Sequence, residues 1–266
     1  SIFLSYNLNC KKTGNKIIMI KKFKLIKDKG FLQFLKIVFH YPIMLWKRRK
    51  FIKMDSESRF TWIYENNHWN DDESLSGPAS TLKYTENLRK EFPVLIADFK
   101  INSMLDAPCG DFNWMKVLLP KIKVKYTGAD IVQDLIDSHN KNYKNDNVNF
   151  IKLNLITDKL PYSDLLFCRD CLFHLSNDDI KNVLKNFLNA DIPFLMTTTH
   201  KNKNNYFQNR DILPGEVFRM IDLFSYPFNF PSSSLARIDD WQSPDPEREM
   251  CLFSRQQVLE VVKHLQ

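Results

Sequence analysis

The segment Met104-Leu105-Asp106-Ala107-Pro108-Cys109-Gly110-Asp111-Phe112, followed by Tyr126-Thr127-Gly128-Ala129-Asp130 with Asp130 24 residues after Asp106, constrains this chain more than any other feature. Ser103 to Ala107 is short, apolar and flanked by polar residues, as a buried parallel strand should be. The residues after it read as a tight loop and a helix start, in which Gly110 gives a ligand room to approach the backbone closely. The second segment reads as another strand ending in a carboxylate, Asp130, placed to accept hydrogen bonds from both hydroxyls of a ribose. A dinucleotide fingerprint needs three glycines, whereas this loop keeps only Gly110, with Pro108 and Phe112 at the other two positions. The pattern therefore fits a nucleoside without a pyrophosphate.

The surrounding sequence alternates in the same way. A helix is expected from Thr81 to Asp98, capped by Ser80 or Thr81 and striped with Leu82, Leu88, Phe92, Leu95 and Ile96. Strands are expected at 103–107, 125–130, 148–153, 164–169 and 192–198, and helices at 112–119, 133–143 and 177–189. Such alternation predicts an α/β domain with a parallel sheet covered on both faces. Beyond Leu213 the alternation weakens. Ser234 to Trp241 and Glu249 to Ser254 are apolar segments separated by the turn-forming run Gln242-Ser-Pro-Asp-Pro-Glu-Arg248, which predicts a terminal hairpin, with a closing helix from Arg255 to Leu265.

These residues resemble the class I S-adenosylmethionine-dependent methyltransferases, whose first motif has an acidic residue, a small-residue loop and an essential glycine, here Asp106, Ala107 to Cys109, and Gly110. The resemblance covers about residues 100–200 by motif order, and the missing glycines depart from the broad pattern. Within the family, Leu105-Asp-Ala-Pro-Cys-Gly-Asp-Phe-Asn-Trp114 and Phe167-Cys-Arg-Asp-Cys-Leu-Phe-His-Leu-Ser176 look like a branch found beside bacterial capsule and surface-glycan genes. The resemblance implies a doubly wound, Rossmann-like methyltransferase sheet ending in an antiparallel hairpin, with S-adenosylmethionine as cofactor. It implies methyl transfer to a hydroxyl or amine of a small-molecule or glycan acceptor, in surface polysaccharide modification. Asp106 and Gly110 would then face the methionine part, Asp130 and Ile131 the ribose, and Asn154 and Leu155 the adenine edge and face.

Methyl transfer is an in-line displacement at a sulfonium that is already activated, so the protein chiefly aligns the acceptor. The expected place is the end of the fourth strand, where Arg169 and Asp170 lead into Cys171-Leu172-Phe173-His174. His174, with an ordinary pKa near ~6.5, is the candidate base, and Asp170 would orient it or act instead, with Arg169 completing the cluster. His200, ending Met196-Thr-Thr-Thr-His200, is a second base candidate or a solvated loop residue. Tyr64, Trp69 and the Ser76-Gly77-Pro78 turn form either a lid or an aromatic packing cluster. Phe228-Asn229-Phe230 lines the acceptor pocket or belongs to the core. Cys168 and Cys171 have the spacing of a zinc or redox pair, but two further ligands at motif spacing are missing, so no metal is expected. Five cysteines without a disulfide framework fit a reducing cytoplasm.

Charge divides the chain in two. Residues 11–53 hold 14 Lys or Arg and one acid, Asp28, a formal +13, while the other residues carry 24 basic and 30 acidic groups, or −6. A domain that gripped nucleic acid would place its cations around the cleft, so none is expected as a partner. The arm's apolar run is broken by Gln33, Lys36, His40 and Pro42, short of the roughly 20 clean residues of a membrane span. It also lacks a signal-peptide cleavage site. Residues 17–53 suit either an interfacial helix on an anionic membrane at the inner face, or a helix packed on the domain or on a second subunit. The expected organisation is thus a basic extension over 1–53 and a catalytic domain over 54–266. The alternatives are an RNA or protein methyltransferase, and a non-catalytic nucleoside-binding partner subunit. The convergent Arg169, Asp170 and His174 speak against a mere binder.

Overall fold

The computed structural model describes residues 43, 45–202 and 207–265. The chain divides into two units, residues Ser1–Lys53 and Met54–Gln266. In the first, residues 45–52 are helical; the rest of the expected amphipathic arm lies outside the described residues. Among the described residues no helix is long and apolar enough to cross a membrane.

The second unit is built on seven strands, β1 (Ser103–Asp106), β2 (Lys125–Asp130), β3 (Val148–Lys152), β4 (Leu165–Cys168), β5 (Phe194–His200), β6 (Ala236–Asp239) and β7 (Arg248–Ser254). They form one sheet in the order β3-β2-β1-β4-β5-β7-β6. The first five strands run parallel, while β7 pairs antiparallel with both β5 and β6, so the predicted terminal hairpin closes that edge. All four residues of β4 are buried, as a central strand covered on both faces requires.

Among the described residues six α-helices accompany the sheet: α1 (Ser56–Glu65), α2 (Glu86–Asp98), α3 (Met115–Leu118), α4 (Gln133–Tyr143), α5 (Asn177–Asn189) and α6 (Arg255–His264). On one face Leu88 and Phe92 of α2, Met115 and Leu118 of α3 and Ile136 of α4 pack together. On the other, Val183, Leu184 and Phe187 of α5 join Val258 and Val261 of α6. Local signals set several boundaries: the Ser176 side chain caps α5 on the Asp179 N–H, and Ser254 and Gln257 form a capping box at α6.

Several boundaries differ from the sequence reading by a few residues, three of them with a visible cause. The helix expected from Thr81 begins at Glu86, because Thr81 Oγ1 accepts the Tyr84 N–H in a local turn and the Leu82 N–H is taken by Glu73 Oε1 at 2.6 Å. The helix expected over 112–119 is a single α-turn followed by a 3₁₀ turn at Leu119–Lys121, where Pro120 supplies no N–H. The fifth strand runs to His200 rather than Thr198 because its pairing with β7 continues to Arg248. Phe228 and Phe230 belong to the buried core.

Phe187 is fully buried between α5 and the sheet. Phe187→Ala should destabilise the domain by about 3–5 kcal/mol, read as a lower urea midpoint with unchanged helical circular dichroism at zero urea.

Candidate functional site

Strand order reverses between β1 and β4, because β1 leads outward to β2 and β4 leads the other way to β5. Beyond the carboxyl ends of these strands an open cleft forms, which is where doubly wound sheets hold ligands. Asp106, Gly110, Asp130 and Ile131 line it from β1 and β2, Asn154 and Leu155 from the loop after β3, and Arg169, Asp170 and His174 from the end of β4. The structure thus brings these nine residues together around one cleft, and it gives several of them contacts other than those expected.

Asp130 is buried at the end of β2, where its two carboxylate oxygens accept the N–H groups of Gly110 and Val132, each at 3.1 Å. Burial raises its pKa, and those same amides pull it back. Gly110 sits at φ +55°, and its carbonyl oxygen accepts a hydrogen bond from His139 Nε2 at 2.8 Å. A Cβ here would collide with the Ser76 side chain, so the glycine makes room for a neighbouring loop of the protein as well as for a ligand. Asp106 accepts the Tyr126 hydroxyl at 2.7 Å, and burial pushes its carboxyl up to about 7 against that hydrogen bond and the charge of Arg169. Asn154 braces its own loop: its Oδ1 accepts the Ile156 N–H at 3.0 Å, and its backbone N–H reaches Asp158 at 2.8 Å.

At the opposite end of the cleft, His174 ends a 3₁₀ turn, Leu172–His174. Its ring lies among Phe173 at 4.5 Å, Trp69 at 5.6 Å and Phe60 at 6.0 Å. Nδ1 donates to the Val217 carbonyl, and burial pushes the pKa down to about 4. The imidazole is therefore neutral near pH 7, with its lone pair on Nε2.

Asp170 does not orient this ring, which corrects the sequence reading. Its carboxylate accepts Arg248 Nη2 at 2.9 Å and the Thr198 hydroxyl at 3.2 Å, and Val217 does the orienting. Burial alone would raise the Asp170 pKa, but Arg248 and Arg169 outweigh it and hold it low, which makes it a poor base. Arg169 is likewise committed, with Nε and Nη2 forking onto Asp240 at 2.7 and 3.0 Å and Nη2 also on the Ala79 carbonyl at 2.8 Å. That bidentate pair frames the cleft. His200 is buried at the end of β5 against Phe173 and Phe218 rather than in a solvated loop, because β5 extends to reach Arg248.

Sequence reasoning missed α1 and the way residues 71–80 are fastened. Asp55 caps α1 through the Ser58 N–H at 2.7 Å, and Ser56, Phe60, Ile63 and Tyr64 face the cleft. An Asp before an apolar set at helical spacing was the available signal. Asp111 Oδ2 accepts the Ser74 hydroxyl at 2.9 Å and the Leu75 N–H at 2.8 Å, while the Asp111 N–H donates to Ser76 Oγ at 2.9 Å. Trp69 packs against Gly77, where an added Cβ would come within 3.0 Å of the Trp69 Cβ. The segment read as a lid or a packing cluster is therefore fastened to the first-motif loop. Asp111→Ala should speed amide hydrogen exchange at Leu75 about tenfold or more, with the central strands unchanged, since a hydrogen bond to a charged acceptor is lost.

No protein-family model matches the sequence, and no curated protein matches it. Solved structures do match the fold. A SAM-dependent methyltransferase from Leishmania major aligns with TM-score 0.56 and 14% identity over 74% of this chain and 84% of its own. Human N-acetylserotonin methyltransferase in complex with SAM gives 0.52 and 13% over 88% and 69%. Magnesium protoporphyrin IX methyltransferase from Synechocystis PCC 6803 with bound SAH gives 0.51 and 10% over 75% and 95%. The chain has the Rossmann-like fold of S-adenosylmethionine-dependent methyltransferases, with the antiparallel hairpin at its C-terminal end.

Proposed function

We propose that this protein transfers a methyl group from S-adenosylmethionine to a hydroxyl or amine of a small-molecule or glycan acceptor. The observation that carries the proposal is Asp130 at the end of β2 facing a cleft at the strand-order reversal of a methyltransferase fold. The cleft's chemistry fits the cofactor. Asp130 is available to a ribose diol, and Leu135, Leu155 and Ile131 offer apolar walls to a flat base. Asp106 stands where a cationic amino-acid end would gain from a carboxylate. Phe112 is packed into the core beside Tyr126 and Phe150, so the loop offers no glycine-rich cradle for a pyrophosphate.

When bound, the cofactor supplies a methyl group already activated on a sulfonium. His174 Nε2 accepts the acceptor's proton, held in position by the Nδ1 bond to Val217 and by the rings of Phe60 and Trp69. Those rings also keep water from that end of the cleft. The resemblance of the two motif segments to a capsule and surface-glycan branch supports a glycan or sugar-linked acceptor. The +13 arm supports work in the cytoplasm beside an anionic membrane surface.

Asp130→Ala should weaken S-adenosylmethionine by on the order of 2–3 kcal/mol in equilibrium dialysis, because hydrogen bonds to a charged acceptor are lost. Unchanged affinity would contradict the ribose assignment. A screen with methyl-labelled cofactor over sugars, nucleotide-sugars and phosphorylated amines would identify the acceptor. With it, His174→Ala should lower turnover about 100- to 10,000-fold for a hydroxyl acceptor, with cofactor affinity retained. For an amine the loss should be smaller and recover at higher pH. The active form is the neutral imidazole, so the His174-dependent acid limb of kcat/KM should fall as pH drops through about 4. A limb near ~6.5 that persists in the variant would assign the proton to another group.

A further inference from the structure

On α1, Ser56, Arg59, Phe60 and Ile63 fall at i, i+3, i+4 and i+7, one face of the helix, and three of the four line the cleft. Arg59 is the cation on that face. It is half-buried, with its guanidinium 5.8 Å from the centre of the Phe60 ring, the ring that in turn meets His174 at 6.0 Å. Burial lowers its pKa, so the charge is partly stripped of water.

Among the described residues this desolvated cation has no carboxylate within ion-pair distance, and its hydrogen bond is a long one, 3.5 Å to Ser56 Oγ. The two acids that attract it, Asp179 and Asp55, are engaged elsewhere: Asp179 accepts the Ser176 hydroxyl at 2.7 Å and Asp55 accepts the Ser58 N–H at 2.7 Å. The contrast with Arg169 and Arg248 is direct, since each of those is held by a carboxylate at 2.9 Å or less. A partly buried guanidinium without a carboxylate is costly unless a ligand completes it. Its planar fork suits the two oxygens of a carboxylate or phosphate.

We propose that Arg59 binds an anionic group, a carboxylate or a phosphate, carried by the methyl acceptor about one aromatic ring away from the atom that His174 serves. This rests on the reading of the cleft as a methyl-transfer site, and it makes Arg59 a determinant of acceptor specificity rather than of the chemistry. Phe60, Trp69 and Tyr64 supply the apolar wall on which the body of such an acceptor lies.

The test uses the full-length protein and three probes of one shape, benzoate, phenyl phosphate and the neutral benzamide, titrated calorimetrically with and without saturating S-adenosylhomocysteine. Benzoate or phenyl phosphate should bind the wild type more tightly than benzamide, and the better of the two identifies the anion. Arg59→Gln should weaken that anion about tenfold or more and leave benzamide and S-adenosylhomocysteine unchanged. Arg59→Lys should fall between, since it keeps the charge and loses the fork. Equal binding of anions and benzamide, no saturable anion binding, or an Arg59→Gln protein with full anion affinity would overturn the proposal. So would loss of S-adenosylhomocysteine affinity alone in Arg59→Gln, which would assign the cation to the cofactor's own carboxylate. Thermal melting of both variants checks that α1 remains folded. Failure of the wild type to bind S-adenosylhomocysteine would overturn the cofactor reading, while the titrations without it would still decide whether Arg59 takes an anion.

Discussion

The reversal of strand order between β1 and β4 is the constraint on which the site depends. Chain leaving β1 returns through α3 to β2, and chain leaving β4 returns through α5 to β5, on the other face of the sheet. The two connections diverge, and the space above the strand ends is left for a ligand. β1 and β2 deliver Asp106 and Asp130 to one side of that space, and β4 delivers the turn that carries His174 to the other. Residues of α1 and of the segment held by Asp111 line the same space.

A crevice rich in titratable groups is expensive to bury, and the structure meets that cost by pairing. Asp130 takes backbone amides, Asp106 takes a tyrosine hydroxyl, Asp170 takes Arg248, and Arg169 takes Asp240. Each pairing satisfies a polar group that burial would otherwise leave stranded. Among the described residues, the neutral imidazole of His174, with one nitrogen engaged, and the guanidinium of Arg59, without a carboxylate, stand apart. Phe60 meets both, 6.0 Å from the His174 ring and 5.8 Å from the Arg59 guanidinium.

The central strands β1 and β4 were legible because each is a short apolar run that ends at a polar residue, and the hairpin because Gln242 to Glu247 is turn chemistry that neither strand nor helix accommodates. The cleft residues were legible because strand ends are where such sheets bind. Their partners were not. Asp240 lies 71 residues from Arg169 and Ser74 lies 37 from Asp111, separations at which no periodicity carries information. For that reason Asp170 and Arg169 read as chemistry without sight of their pairing with Arg248 and Asp240, and Asp111 read as part of a ligand loop while it fastens residues 74–76. The start of α2 was misplaced for a similar reason, since Glu73 claims the Leu82 N–H from outside the helix.

On the proposed reading, the crevice at the β1–β4 reversal holds the nucleoside and methionine ends of S-adenosylmethionine. Amide hydrogen exchange of the wild-type protein, compared without ligand, with S-adenosylhomocysteine and with NAD, tests it most directly. Protection by S-adenosylhomocysteine, and not by NAD, should appear in the loop after β1, at the end of β2, in the loop after β3 and across residues 71–80. Protection by NAD over the same segments, or no change there with S-adenosylhomocysteine at saturating concentration, would contradict it.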